Sequence, residues 1–222
     1  MSDARPVTDL VDRKKLFDGI RTDIFHGHFT QKQVDGMDAI VDAWDESVFD
    51  DLRWLAYMLA TTYHETAATM QPIKEYGDFN YFERMYGPNG KRPDTARKMG
   101  NVLPGDGAKY CGRGYVQMTW EVNYKHASDI TGADLVGNPD LALRPDIAAK
   151  VMFAGMTDAK IIFEDFSDTE NFTFTGKSLE DYFNDTTDDP VGARRIINGT
   201  DHASLIADTY EDFLKHLDYR TS

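Results

Sequence analysis

Between residues 69 and 114 the chain carries Pro72, Gly77, Pro88, Gly90, Pro93, Gly100, Pro104, Gly105, Gly107, Gly112 and Gly114. Proline removes a backbone donor, and glycine weakens any regular element it interrupts, so no long helix or strand fits here. A loop-rich stretch of this length inside a compact chain points to function. Short strands are expected within it, around Tyr76–Tyr81 and Gly114–Thr119. The body of the fold must therefore come from the segments on either side.

Those segments read as helices. Thr8-Asp9 can cap a first helix through Leu10, Val11, Leu16, Phe17 and Ile20. Thr30 with Gln33 three residues on makes a capping box ahead of Val34, Met37, Ile40, Val41 and Trp44. A third helix starts near Asp50-Asp51 and buries Leu52, Leu55, Ala56 and Leu59 before it reaches Tyr63-His64-Glu65. Beyond the loop region, helical patterning returns at Thr119–Ile130 and from Pro145 to about Phe163. Asp188–Asn198 reads as a short helix stopped at Gly199. Leu205, Ile206, Tyr210, Phe213, Leu214 and Leu217 form a closing amphipathic stripe. Residues 164–189 are an acidic surface insertion with anchoring rings at Phe166, Phe172, Phe174, Tyr182 and Phe183. Its carboxylate spacing does not fit an EF-hand. The reading is one catalytic domain over residues 1–222, mainly α, with helices of residues 1–48 packed onto it.

Charge and composition remove whole classes of function. With 38 Asp+Glu against 24 Lys+Arg the net charge is −14, the wrong sign for a nucleic-acid footprint. No run approaches the length of a membrane span. The start, MSDARPVTDLVDRKK, lacks the apolar core of a secretory signal, which suggests a chain made in the cytoplasm. A single cysteine, Cys111, excludes an internal disulfide and any zinc site built on several thiolates.

Three chemistries remain to be weighed. His64-Glu65 opens like the zinc-protease pattern H-E-x-x-H, but position 68 is Ala68, so the second ligand is missing. His26 and His28 make only an isolated H-x-H pair. Cys111 precedes Gly112-Arg113-Gly114, a poor start for the helix that would activate a thiolate. Carboxylates are left, and a glycosidase needs two of them. Glu65, at the end of an apolar helix beside the loop region, suits the acid. Glu75 and Glu83 are the nearest partners, although with 38 carboxylates spacing alone selects no pair.

The order of several segments narrows the choice. Tyr63-His64-Glu65-Thr66 resembles the H-E-[TS] signature of family 19 glycoside hydrolases. Gly112–Thr119, reading GRGYVQMT, is similar to that family's G-R-G segment, and Asn123-Tyr124 follows at its spacing. Asn138-Pro139-Asp140-Leu141 resembles its N-P-D-L turn, and Arg194–Gly199 its R-x-I-N-G-G segment, with Thr200 at the last position. Ala67-Ala68 stand where the family often has glycine. The compact span from Glu65 to Glu75 looks more like the phage endolysin branch than the longer-looped chitinases.

The resemblance implies a lysozyme-like α+β domain, two lobes flanking a cleft, with a small irregular β element beside it. It implies inverting hydrolysis of a β-1,4 glycan, either a peptidoglycan strand or, alternatively, a chitin oligomer. Glu65 would be the general acid and Glu75 the general base, with Glu83 as the counterpart under a longer-loop alignment. Thr119 would hold the attacking water. Gln117, Asn123 and Asn198 would bind sugar groups, and Tyr115 would line the subsites. Arg195 or its neighbour Arg194 would pair with a carboxylate. No metal or organic cofactor is implied, and the protein would act as a monomer, reaching the wall through a holin-type lesion. A non-catalytic glycan-binding or virion protein on the same fold is the alternative from another class.

Overall fold

The computed structural model describes residues 10–158, 161–163, 166–167 and 172–220. Its elements in chain order are α1 (Arg13–Asp23), α2 (Gln31–Glu46), α3 (Leu52–Glu65), β1 (Ile73–Lys74), α4 (Phe79–Tyr86), α5 (Pro93–Lys98), α6 (Asp106–Lys109), β2 (Arg113–Gly114), α7 (Glu121–Thr131), α8 (Pro145–Met156), β3 (Ile161–Phe163), β4 (Phe166–Ser167) and α9 (Ala203–Leu214). Turns of 3-10 helix occupy Pro139–Leu143, Leu179–Asp181 and Gly192–Ile196.

Helix α3 is the axis of the molecule. The Asp51 side chain caps it by accepting from the Arg53 N–H at 3.0 Å. Every residue from Leu55 to Thr62 is buried. A helix apolar all round must be covered on all sides, and α9 packs along it. Helix α8 is likewise buried from Ile147 to Met156 except at Lys150, and α2 packs against it. Helix α2 opens on the predicted capping box: Gln33 N–H donates to Thr30 Oγ1 and the Gln33 side chain accepts from the Thr30 N–H at 2.8 Å.

Two hydrophobic cores result. The larger joins α1, α2, α3, α8 and α9 around Trp44, Tyr57, Phe153 and Tyr210. The smaller holds Tyr110, Met118, Tyr124, Leu135, Ile147 and Val151. Helix α8 supplies side chains to both, so it is the spine that joins the two lobes.

Several local expectations are corrected. Thr8 and Asp9 lie outside the described residues, and α1 is capped by Asp12, whose side chain accepts from the Lys15 N–H. The strands in the loop region are Ile73–Lys74 and Arg113–Gly114, paired antiparallel with Ile73 opposite Gly114. Residues 79–86 instead form α4, because Asp78 caps them by accepting from the Tyr81 N–H at 2.7 Å. The helix begun at Pro145 stops at Met156, and Ile161–Phe163, two β-branched residues and an aromatic, is extended and paired with β4. The element near Arg194 is a 3-10 turn, Gly192–Ile196. In the acidic insertion, part of which lies outside the described residues, Phe172, Tyr182 and Phe183 are buried anchors. Among the described residues no helix is long and apolar enough to cross a membrane.

Candidate active site

The C-terminal end of α3 opens onto a cleft of about 720 Å³. His64, Glu65, Glu75, Gln117, Thr119, Asn123 and Asn198 all line it, so the cleft gathers predicted residues spread over more than half of the chain.

On one side stands Glu65. Its Oε1 accepts from Arg194 Nη1 at 2.5 Å. The guanidinium is 3% exposed and the carboxylate 16%. The Arg194 Nε donates to the Asp201 carbonyl at 2.9 Å, which fixes the plane of the fork. The expected partner Arg195 is corrected by this arrangement. It points outward, is exposed, and reaches only the Gly192 carbonyl. Tyr57 lies two turns earlier on the same face of α3, and burial pushes its phenol well above the usual range, so it stays neutral.

Glu75, just after β1, lines the same cleft. Strand pairing continues to it, since its N–H donates to the Gly112 carbonyl at 2.9 Å. Tyr86 and Tyr81 donate their hydroxyls to Glu75 Oε1, at 2.9 and 3.2 Å. Gly112 supplies its N–H to Oε2 at 3.3 Å. A Cβ at position 112 would sit 3.1 Å from that oxygen, so a glycine there leaves room for the carboxylate. Sequence reasoning missed both tyrosines, which stand six and eleven residues beyond Glu75 and meet it only once α4 has formed.

Glu83 does not line this cleft. Its two oxygens accept from the N–H groups of Gly105 and Ala108, each at 3.0 Å, so it anchors the start of α6.

The hairpin after β2 also lines the cleft. Gln117 donates to the carbonyls of Ile73 and Gly114, at 3.0 and 3.1 Å. Asn123 donates to the Thr119 carbonyl at 2.8 Å, and Thr119 Oγ1 to the Gln117 carbonyl at 3.0 Å. The amide hydrogens of both residues therefore hold backbone in place. Gln117 and Trp120 have φ of 54° and 81°, left-handed values that cost a non-glycine residue roughly 1–3 kcal/mol each.

Tyr115 is corrected. It is fully buried in the larger core, and its hydroxyl donates to the Gly36 carbonyl at 2.8 Å, so it lines no sugar subsite. The preceding Gly114, at φ 89°, turns the chain so that the next ring goes inward. Cys111 is also buried, and burial pushes its thiol up, opposite to what a nucleophile needs.

The family model described as chitinase class I, glycoside hydrolase 19, matches residues 38–161, more than half of the chain. The chain belongs to glycoside hydrolase family 19.

Curated relatives agree with that placement. The chain is 34% identical to Chitinase 6 of Oryza sativa subsp. japonica over 103 residues, covering 46% of this chain and 34% of the relative. It is 33% identical to Endochitinase 1 of Theobroma cacao over 105 residues, covering 46% and 32%. The match thus spans about a third of the length of these relatives. Among solved structures, a chitinase C mutant aligns with TM-score 0.53 at 21% identity, over 96% of this chain and 94% of that one. Chitinase C from Streptomyces griseus aligns with TM-score 0.54 at 18% identity, over 95% and 76%. These neighbours share the fold.

Within this family 19 chain, two of the quoted segments hold each other. Arg113, 4% exposed, sits 2.8 Å from Asp140 and also donates to the Tyr124 hydroxyl at 3.0 Å. The G-R-G and N-P-D-L segments are therefore partners in one ion pair, buried at Arg113 and exposed at Asp140. Arg194 lies beyond the matched residues 38–161, yet the fold delivers it to Glu65.

Proposed function

We propose that this family 19 chain hydrolyses the β-1,4 glycan of peptidoglycan by an inverting acid–base mechanism. The observation that carries the reading is the presence of Glu65 and Glu75 in one cleft, each held by a different set of partners. Arg194 engages Oε1 of Glu65, so Oε2 is the oxygen available to protonate the leaving glycosidic oxygen. Tyr81 and Tyr86 orient Glu75 to take a proton from water. Thr119, which lines the same cleft, would steady that water. Water attacking the face opposite the leaving group inverts the anomeric carbon, which requires carboxyl groups about 6.5–9.5 Å apart. On this reading the enzyme reaches the wall from the cytoplasm through a holin-type membrane lesion.

The choice of peptidoglycan rests on the short connection between Glu65 and Glu75, which resembles the endolysin branch. Chitin is the second reading, favoured because the curated relatives carry chitinase names. Both polymers contain N-acetylglucosamine, so one catalytic pair serves either.

The test is clearing of purified peptidoglycan by the wild type and by Glu65→Gln, with mass spectrometry of the fragments and early NMR of the new anomer. Expected are new reducing ends of inverted configuration and a variant slowed about 10²–10⁴-fold. Hydrolysis of chitin oligomers alone moves the substrate to chitin. Binding of glycan without cleavage of either polymer overturns the enzyme reading in favour of a glycan-binding protein.

A further inference from the structure

Arg92 lines the same cleft and has no role in the acid–base scheme. Its guanidinium carbon lies over two rings, Tyr86 and Trp120, at 5.4 Å from each centroid. Those rings also line the cleft and meet edge to face, 5.3 Å apart. Tyr86 is one of the two tyrosines that donate to Glu75, so the cation touches a residue that holds the proposed base.

Among the described arginines this cation is set apart by lying over two rings at once. Arg13, Arg53, Arg113 and Arg194 each sit on a carboxylate, as expected where acidic groups outnumber basic ones. Among the described residues no carboxylate forms an ion pair with Arg92, while its close neighbours Arg97 and Asp94 pair with each other. Its ring platform is held at a cost. Trp120 has φ 81° and ψ 141°, a region natural to glycine. It is kept there because its N–H donates to the Tyr110 carbonyl at 2.9 Å and its own carbonyl accepts from Asn123 and Tyr124.

A guanidinium stacked on rings is already oriented, so it loses little freedom when it binds a planar anion. Its fork matches a carboxylate in two parallel hydrogen bonds. We propose that Arg92, seated on Tyr86 and Trp120, is a specificity residue that selects glycans bearing a free carboxylate on the sugar, as muramic acid does wherever its lactyl group carries no stem peptide, over neutral N-acetylglucosamine polymers. This rests on the glycan reading above and deepens it, because chitin has no group for Arg92 to hold.

The test measures binding, so that it stands apart from hydrolysis. In a Glu65→Gln background, calorimetry compares two titrants. One is a peptide-free tetrasaccharide of alternating N-acetylglucosamine and N-acetylmuramic acid; the other is N-acetylchitotetraose. The background binds the acidic glycan more tightly, and adding Arg92→Gln lowers the ratio of the two affinities about tenfold. Arg92→Lys restores part of the ratio, since charge returns without the fork. Arg92 is exposed and its side chain caps no helix, so a melting curve checks that the variant folds as the parent does. An unchanged ratio, with both affinities falling together, reduces Arg92 to a pin between α4 and α7 and overturns the proposal. Equal affinity of the parent for the two glycans, or no binding of either, also overturns it. A falling ratio in a protein whose wild type cleaves nothing leaves this inference standing and removes the hydrolase reading. Cleavage with an unmoved ratio does the reverse.

Discussion

Arg194 Nη1 lies 2.5 Å from Glu65 Oε1, joining the 3-10 turn Gly192–Ile196 to the end of α3 across 129 residues of sequence. The guanidinium is almost wholly buried, so its charge depends on this one carboxylate and on the Asp201 carbonyl. Removing one partner of a buried pair strands the other charge, at roughly 3–5 kcal/mol. Arg194→Ala should therefore unfold at lower urea concentration, by less than that free energy because the Glu65 left behind opens onto the cleft, and lose turnover as well. Arg195→Ala, at the exposed neighbour, should shift the urea midpoint by less than ~0.5 kcal/mol. Equal effects at the two positions would contradict the pairing.

Glu75 and Glu83 should separate cleanly by what each substitution damages. Glu75→Gln keeps the shape but accepts no proton, so turnover should fall about 10²–10⁴-fold with little change in melting temperature. Glu83→Gln weakens the anchor of α6, and its loss should appear as stability, about 1 kcal/mol, with turnover largely kept. Steady-state kinetics beside thermal melts of both variants give the answer. Loss of turnover in Glu83→Gln alone would move the base.

The turn after α3 holds non-glycine residues in left-handed backbone. Ala67 and Ala68 have φ of 50° and 63°. The Ala68 carbonyl is held by Gln33 Nε2 at 2.8 Å, and Thr66 Oγ1 accepts from the Met70 N–H at 3.1 Å. A side chain in that region costs roughly 1–2 kcal/mol, of which glycine returns part to unfolded-state entropy. Ala68→Gly should raise stability by about 0.5–1 kcal/mol, read from a urea melt, and Ala68→Val should lower it.

His64 gives a pH dependence with a definite sign. Burial lowers its pKa from the ordinary 6.5, against the raising effect of Glu65. The unfolded chain therefore takes up a proton near pH 6.5 that the folded chain still refuses. The contribution of neutral His64 is complete above that value and is lost as pH falls through the lower folded pKa. Urea melts between pH 5 and 8 should show stability rising with pH, more steeply in wild type than in His64→Gln. Parallel curves would remove His64 as the source.

Local signals in the sequence were enough for the helical frame. The Thr30–Gln33 box, the apolar run of α3 and the Gly and Pro density of residues 69–114 each act over a few residues, and each survives in the structure. They failed where a neighbour distant in sequence decided the outcome. Aromatic residues 76–81 look extended until Asp78 caps a helix over Phe79–Tyr86.

By itself the sequence determined that the chain is mainly helical, that its middle holds only short elements, and that it carries the ordered segments of family 19. Capping, helical period and backbone freedom are properties of short stretches, and they can be read in place. Only the tertiary structure decided which carboxylate lines the cleft with Glu65, which of two adjacent arginines turns inward, and where the Tyr115 ring goes. Adjacent residues on a 3-10 turn point about 120° apart, so the choice between Arg194 and Arg195 is made by what packs against that turn. Tyr81, Tyr86 and Arg92 reach Glu75 or its partners only because α4, α5 and β1 fold around one cleft. Proximity of that kind is a consequence of packing, and no spacing along the chain encodes it.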